Sequence, residues 1–226
     1  MSGAEKHSLR DAAVCEFLAT AFLLIAVVGS GIAADRLSGG NTGLALLANA
    51  LATSAALFVL ILTFGNVSGA HMNPVVTIAA ALVSGFSWRN VPVYVVMQIL
   101  GAVAGTVLAH VMFDLPLLQL STHARTGVGI WTGEMVATVG LLTVIWGCLT
   151  YGTPTAAGAI AAYIGGAYWF TSSTSFANPA VTIARAFTDT FAGIRPVDAP
   201  AFILVQLLAL GLALPLLRRL QRSFRV

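Results

Sequence analysis

Charged side chains are scarce in this sequence. Only 8% of its 226 residues are Asp, Glu, Lys or Arg, whereas soluble domains carry roughly a quarter. Because 58% of the residues are hydrophobic, the chain is too apolar to fold in water, and a disordered or collagen-like chain is excluded as well. The net charge of +3 therefore belongs to residues that flank membrane spans. We expect the lipid bilayer, and no nucleic acid, as a partner.

Cysteine is almost absent, and no residue pattern of an enzyme is visible. Cys15 and Cys148 cannot form a disulfide framework, and in their apolar segments we expect them to be small buried hydrophobic side chains. His110 and His123 lack metal-ligand spacing, and no nucleophile, base or cofactor motif is present. The sequence predicts a non-enzyme without metal or cofactor. The first apolar stretch is too long for a signal-peptide core, so we expect the N-terminus to be retained.

Long apolar stretches dominate the chain and predict six transmembrane helices. Each stretch has about the 20 residues that a helix needs to span a bilayer, and the stretches are apolar throughout rather than alternating, which excludes transmembrane strands. They lie near residues 12–33, 43–64, 92–113, 130–150, 156–174 and 199–217. The blocks Leu37–Trp88 and Met135–Ala184 carry no charge, and each is too long for one span and its loop.

An internal repeat explains the extra length of these blocks. Three pairs of segments match in the same order along the chain: Glu16–Thr20 with Glu134–Thr138, His71–Ala79 with Phe176–Ala184, and Gln98 with Gln206. The order predicts a duplication of three spans plus one half-helix, over about residues 10–114 and 128–220, within a single transmembrane domain of residues 1–226.

The number of spans in each half determines how the halves are oriented. Three is odd, so the second half enters the bilayer from the opposite side, and the two half-helices meet at mid-membrane. With both termini in the cytoplasm, positive residues favour the inside by seven to four, as the positive-inside rule requires. The inside set is Lys6, Arg10, Arg89, Arg218, Arg219, Arg222 and Arg225, and the outside set is Arg36, Arg125, Arg185 and Arg195.

The paired Asn-Pro motifs predict where the half-helices begin. Asn is a strong N-cap and Pro is favoured at the first helical position, so Asn73-Pro74 and Asn178-Pro179 each read as a helix start. Two facing helix N-termini raise a positive potential in a pore, while the Asn amides donate hydrogen bonds. Such a pore repels cations and protons and favours neutral polar solutes.

With these motifs, the chain resembles the aquaporin (major intrinsic protein) family over nearly its whole length. The matching features are the Glu-x-x-x-Thr openings of the first and fourth spans, Ser68–Val75, Asn178–Ala180 and the repeat order. Val75 stands where the family usually has Ala, whereas Pro179-Ala180 keeps the family pattern. The resemblance implies a right-handed bundle of six helices with two re-entrant half-helices, a pore in each protomer and a homotetramer in the inner (plasma) membrane.

The resemblance also assigns a selectivity filter by spacing from the Asn-Pro motifs. The assigned positions are Thr53, Gly166, Ser175 and Val181. Water-selective members carry an aromatic residue, a His and an Arg at these places, and none of the three is present here. Glycerol facilitators keep the Arg and carry an Asp and then a basic residue after it. At the places of that Asp and that basic residue, this chain has Thr182 and Ala186. We therefore expect a wide constriction without arginine.

The filter suggests which solutes pass. Bacterial aquaporin-like channels with Val in place of the filter Arg are associated with arsenous acid and its methylated trivalent relatives, so the resemblance implies metalloid hydroxides, glycerol-like solutes and water. One alternative is a water or glycerol channel with no role in arsenic transport. Another is a secondary transporter, which also uses inverted repeats with broken helices, although no ion site is evident beyond two glutamates. A third is a junctional membrane protein whose pore is incidental.

Three further side chains near the motifs carry predictions. We expect Glu16 and Glu134 to accept hydrogen bonds from the N–H groups of the re-entrant loops rather than to relay protons. His71 is predicted to be a hydrogen-bonding residue at the pore mouth, with a pH gate as the alternative.

Arg185 has no counterpart in the first repeat, where Ala80 stands in its place. One interpretation is a displaced filter arginine that lies over Val181 in the outer vestibule, because residues four apart share a helix face. The other is a surface pair with Asp189, also four residues away, that only anchors the outer loop.

Overall fold

In the computed structural model, residues 8–223 are described, and they are folded into helices without strands. The elements are α1 (Leu9–Leu37), α2 (Thr42–Ser68), α3 (Pro74–Val83), α4 (Val91–Met112), α5 (Val128–Cys148), a 3-10 turn (Leu149–Tyr151), α6 (Thr153–Phe170), α7 (Pro179–Arg185) and α8 (Ala199–Ser223). Lys6 and Arg225, which the charge comparison uses, lie outside the described residues.

Six of these helices occupy the positions of membrane spans. α1, α2, α4, α5 and α8 are each long and apolar enough to cross a membrane. The sixth, α6, has 18 residues and packs between α2 and α5. α3 and α7 are the two short half-helices. The predicted fold class, six spanning helices with two half-helices in an all-helical membrane protein, is confirmed.

One predicted boundary is wrong. The fifth span was expected to reach residue 174, but α6 ends at Phe170, because the backbone of Thr171 is extended (φ −113°, ψ 140°). Residues 171–177 instead form a loop that leads back to α7. This segment and residues 69–72 are hereafter the re-entrant loops. The end of the bundle where α1 begins and α8 ends is called the terminal face, and the other end is the opposite face.

Small residues let the first and third spans of each repeat approach closely. On α4, a Cβ atom at Gly101 or Gly105 would collide with the backbone carbonyl oxygens of Phe17 or Ala21 on α1. Such small residues four apart are the usual device for close packing of membrane helices. In the second repeat α5 packs against α8, where Ala209 and Ala213 are buried.

The half-helices begin as the sequence predicts. Asn73 and Asn178 are the N-caps, each with extended backbone (φ −157° and −159°) and with Pro in the first turn. Their side-chain oxygens accept from the N–H groups of Val75 and Ala180. α3 and α7 contact each other, so the two helix N-termini meet inside the bundle.

The glycine packing generates a test. We expect Gly105→Ala to lower the folded yield and the thermal unfolding temperature, because the added methyl group must displace the α1 backbone at Ala21. The matched control is Gly211→Ala on α8, where a Cβ would meet no atom within 4 Å. Alanine at that position should be neutral or stabilising by up to about 1 kcal/mol, because alanine is the better helix former.

Both variants are to be compared by size-exclusion chromatography and thermal unfolding in detergent. Equal stability of the two variants would contradict the close α1–α4 contact.

Candidate functional site: a cavity between the half-helices

A cavity of about 370 Å³ runs through the bundle where the half-helices meet. It extends from Ser84 and Thr153 near the terminal face to Arg185 near the opposite face, and both motif asparagines line it. A second cavity of about 540 Å³ opens on the opposite face and shares Arg185 with the first. Together the two cavities extend from the terminal face towards the opposite face, across the level where the half-helices meet.

The two motif asparagines tie the loops to one another at the centre of this path. The amide nitrogen of Asn73 donates to the carbonyl oxygen of Ala177 at 2.7 Å, and that of Asn178 donates to the carbonyl oxygen of Met72 at 2.7 Å. An amide nitrogen carries two hydrogens. Each asparagine therefore keeps a second N–H for the lumen that it lines.

Glu16 on α1 holds the first re-entrant loop. Its carboxylate is fully buried and accepts from the backbone N–H groups of His71 at 2.9 Å and Met72 at 2.7 Å. It also accepts from the hydroxyl of Ser68 and the amide of Gln98, both at 2.7 Å. Each carboxylate oxygen thus has two donors, all of them from the loop or its supporting helices.

Glu134 on α5 does the same for the second loop. It accepts from the N–H groups of Phe176 at 3.2 Å and Ala177 at 2.5 Å, and from the amide of Gln206 at 2.7 Å. Gln206 also donates to Thr182 on α7 at 2.9 Å. The carboxylate therefore links α5, α8 and the start of α7.

His71 lines the cavity on the side of the terminal face. Its ring Nδ1 lies 3.1 Å from the hydroxyl of Thr77, and the ring packs against Phe86 and Tyr94 with centroids 5.2 and 5.3 Å away. These contacts fix the ring in the wall of the path. The choice between a mouth residue and a pH gate stays a prediction.

Three of the four predicted filter residues line the cavity together: Thr53 from α2, Ser175 from the second loop and Val181 from α7. Gly166 is not among the lining residues, and it lies on an exposed face of α6. Tyr168 lines the cavity instead, and its hydroxyl lies 3.4 Å from that of Thr53.

The count back from Asn178 assumes a fixed length for the loop that joins α6 to α7. It does not determine which face of α6 lines the cavity, and the residue that it selected, Gly166, lies on a different face. A different pattern in the sequence, a four-residue spacing of large side chains, marks the face of α6 that lines the cavity. Ile160, Ile164 and Tyr168 recur every four residues, as one face of a helix does, and all three line the cavity. The cavity wall therefore includes an aromatic residue, Tyr168, that the filter assignment did not name.

Arg185 stands at the junction of the two cavities and is almost fully buried, with 2% of its surface exposed. Its Nε donates to the carbonyl oxygen of Ala192, and its guanidinium carbon lies 3.4 Å from the centroid of the Phe176 ring. Arg125, from the loop before α5, approaches the same ring at 5.0 Å. The roles of Phe176 and Arg125 were missed because the contacts are distant in sequence.

The predicted pair of Arg185 with Asp189 does not form. α7 ends at Arg185, so Asp189 no longer lies on the same helix face. Its carboxylate instead accepts from the N–H and the hydroxyl of Thr122 at 2.7 and 2.9 Å. These hydrogen bonds hold the pKa of Asp189 below its ordinary value, and the carboxylate remains on the exposed loop.

Comparisons with known proteins show which family and which proteins this chain is similar to. Residues 4–174 match the family described as Major intrinsic protein. Aquaglyceroporin AqpS of Rhizobium meliloti (strain 1021) is 47% identical over 221 residues, covering 98% of this chain and 94% of that protein. Probable aquaporin NIP7-1 of Arabidopsis thaliana is 35% identical over 126 residues, or 55% of this chain and 45% of that protein.

A solved structure has the same fold. The X-ray structure of the aquaglyceroporin from Plasmodium falciparum matches with a TM-score of 0.70 at 22% identity, covering 94% of this chain and 95% of that chain. At this identity the likeness shows the fold alone.

The loop hydrogen bonds generate a test. We expect Glu134→Ala to lower the folded yield and the unfolding temperature, because it strands the N–H groups of Phe176 and Ala177, at about 1–3 kcal/mol for each buried donor. Glu134→Gln keeps one acceptor oxygen and should lose less. Asp35→Ala, at an exposed acid, is the control and should unfold like the parent.

Thermal unfolding and liposome permeability should be measured on the same preparations. A Glu134→Ala protein that is as stable as the parent but impermeable would show that the acid acts in transport itself.

Proposed function

The chain belongs to the major intrinsic protein family, and from this premise we propose that it is a passive multi-pass membrane channel for small neutral solutes. The proposed solutes are glycerol-like polyols, metalloid hydroxides such as arsenous acid and its methylated trivalent relatives, and water. The single observation that carries the proposal is the cavity between the half-helices, with Val181 in its wall where the resemblance expects the family's filter arginine.

The wall chemistry of the path favours neutral solutes over cations. Among the residues that line the first cavity, Arg185 is the sole residue with a charged guanidinium or carboxylate group. The N-termini of both half-helices add positive potential at the centre. A cation in the first cavity meets no carboxylate in its lining, whereas a hydroxyl group finds donors at Asn73 and Asn178.

The engagement of the two buried acids argues for a passive channel rather than an ion-coupled transporter. A coupling site needs a carboxylate whose oxygens can bind an ion or proton during transport. The oxygens of Glu16 and Glu134 are occupied by loop N–H groups and by Gln98 and Gln206. Releasing them to serve an ion would leave buried loop donors without acceptors.

The choice among neutral solutes rests on the constriction. Val181 is an aliphatic side chain in the wall of the cavity, so in the proposed filter the size limit is set by Val181, Thr53 and Tyr168 rather than by an arginine. The similar protein from Rhizobium meliloti is named an aquaglyceroporin, which supports polyols. Metalloid hydroxides enter the proposal by their likeness in shape to polyols, which is an analogy.

For the location and the assembly of the protein, we propose what the family resemblance implies. The channel lies in the inner (plasma) membrane with both termini in the cytoplasm, so that the terminal face is the inner mouth and the opposite face the outer one. It assembles as a homotetramer with a pore in each protomer. Exposed leucines, such as Leu51 and Leu212 with 62% and 67% of their surface exposed, supply apolar faces for lipid and for neighbouring protomers.

Proteoliposomes provide the direct test of the channel function. The purified protein should raise the permeability to water, glycerol and arsenous acid above that of empty vesicles, with no dependence on an ion or proton gradient. Permeability that saturates and depends on such a gradient would indicate a transporter rather than a channel. If vesicles with the protein were no more permeable than empty vesicles, the proposed channel function would be wrong.

Val181 generates a test of the filter. We expect Val181→Arg to narrow the path and to add a fixed positive charge, so that glycerol and arsenous acid permeability fall much more than water permeability. Val181→Leu adds bulk without charge and separates the two effects. If Val181→Arg conducts every solute as the parent does, Val181 does not lie at the constriction.

Arg185 generates a separate test of charge exclusion. We expect Arg185→Ala, with Asp189 intact, to raise the leak of monovalent cations, because the first cavity then has no guanidinium in its lining. The matched control is Arg36→Ala, an exposed arginine that donates to the carbonyl of Phe113 at 3.0 Å. Conductance of planar bilayers measures the leak. Equal cation leak in both variants would assign Arg185 a purely structural role.

A further inference from the structure

A tryptophan side chain lines the first cavity near the terminal face. Trp146 on α5 is one of the largest side chains in the buried core, with 2% of its surface exposed. It belongs to one apolar cluster with Val76 and Ala80 of α3 and with Leu217 of α8. Close packing of this kind leaves a ring little room to move. The part of the indole that borders the cavity therefore has a fixed position.

Hydrogen bonds fix the orientation of this indole. Its Nε1–H donates to the hydroxyl oxygen of Ser84 at 3.1 Å, and the same hydroxyl donates its hydrogen to the side-chain oxygen of Gln221 on α8 at 3.4 Å. Ser84 is the C-cap of α3. Gly85 follows it in the left-handed conformation (φ 77°), which is a common way for a helix to end. The end of a half-helix and the last turns of α8 thus hold the one polar atom of the indole.

This contact lies at the terminal-face end of the cavity, far from the Asn-Pro motifs. Ser84 lies eleven residues after Asn73 along α3, which corresponds to about 16 Å at 1.5 Å per residue. Trp146 is two residues before the end of α5. Ser84 lines the same end of the cavity, and so does Thr153 at the start of α6. The indole therefore borders one mouth of the cavity, on the other side of the motifs from Val181.

The other repeat has no such arrangement at its own mouth. The spacing that matches the two buried glutamates places Val28 at the position equivalent to Trp146, and Val28 is fully buried and lines neither cavity. The position equivalent to Ser84 is Asp189, an exposed residue whose carboxylate accepts from Thr122. The scaffold can therefore be built without an indole at this position.

We propose that Trp146 is a specificity-determining residue that sets a second limit on solute size, at the terminal-face mouth. The indole, held by Ser84 and by the apolar cluster, forms a rigid side of this opening. A longer polyol must pass this side without displacing it, whereas water and glycerol are small enough to be little affected. This inference rests on the proposed channel function, and it adds a size limit at a level that the Val181 filter does not include.

The test uses two single variants and a matched control. Trp146→Phe keeps an aromatic ring in the apolar cluster but makes the side chain smaller and removes the N–H donor. Ser84→Ala keeps the indole and removes its acceptor, at an exposed position where water can replace the hydroxyl. The matched control is Trp169→Phe on α6, because 52% of that side chain's surface is exposed and it lines neither cavity.

Stopped-flow light scattering of proteoliposomes gives the ratio of ribitol to glycerol permeability for each variant. We expect Trp146→Phe to raise this ratio about tenfold, the order of effect that a small change of size has in an apolar pocket. Ser84→Ala should raise the ratio by less, because the ring remains but is no longer held in one orientation. Trp169→Phe should keep the ratio of the parent. The ratio of glycerol to water permeability should change little in all three variants.

The outcomes separate this inference from the proposed function. A parent protein that does not conduct glycerol overturns the function and the second size limit together. A parent that conducts glycerol, with an unchanged ribitol ratio in Trp146→Phe, overturns only the size limit. An equal rise in Trp169→Phe would also overturn it, since the effect would then not depend on the cavity wall. If Trp146→Phe does not fold, an unchanged ratio in Ser84→Ala overturns the size limit.

Discussion

The need to satisfy backbone N–H groups inside a bilayer determines much of this structure. A re-entrant loop has no helix partner for its amides, and lipid offers none, so each unpaired group costs several kcal/mol. Glu16 and Glu134 meet this need from neighbouring spanning helices. Because the loops are fixed in this way, Asn73 and Asn178 can cap the half-helices and contact the opposite loop. The position of the lumen follows from these two carboxylates.

On this symmetric scaffold the polar chemistry of the lumen is asymmetric. The two halves share the carboxylates, the glutamines and the capping asparagines, all of which serve the fold. They differ at the positions of Ala70 and Ser175, and of Ala80 and Arg185. The duplication thus supplies two copies of the support, while only the second repeat places Ser175 and Arg185 in the cavity wall. Specificity can change on that loop without disturbing the hydrogen bonds that hold it.

The sequence predicts the scaffold well because its signals are local or repeated. Apolar stretches locate the spans, and the Asn-Pro pairs locate the starts of the half-helices. The filter was harder to predict, because it is assembled from elements that are far apart in the chain. A fixed count selected Gly166 instead of Tyr168, since the loop after α6 sets the helix face. The expected pairing of Arg185 with Asp189 assumed a longer helix, but α7 ends at Arg185. The stacking of Arg185 on Phe176 had no sequence signal at all.

An arginine at the constriction would both narrow the path and repel cations. Because the arginine of this chain stands at position 185 instead, we assign the two tasks to different side chains. In the proposed channel, Val181 leaves the filter uncharged, so passage there depends on solute size. Arg185 lies four residues further, about 6 Å along the helix at 1.5 Å per residue, where the second cavity of about 540 Å³ begins. In the proposed channel, a cation from the opposite face passes Arg185 before it reaches Val181, after crossing a cavity lined by Arg125 and also by Asp35 and Asp189. On the same proposal, a bulky neutral solute meets hydrogen-bond donors first and the aliphatic wall afterwards, so a wider filter would not require the loss of charge exclusion.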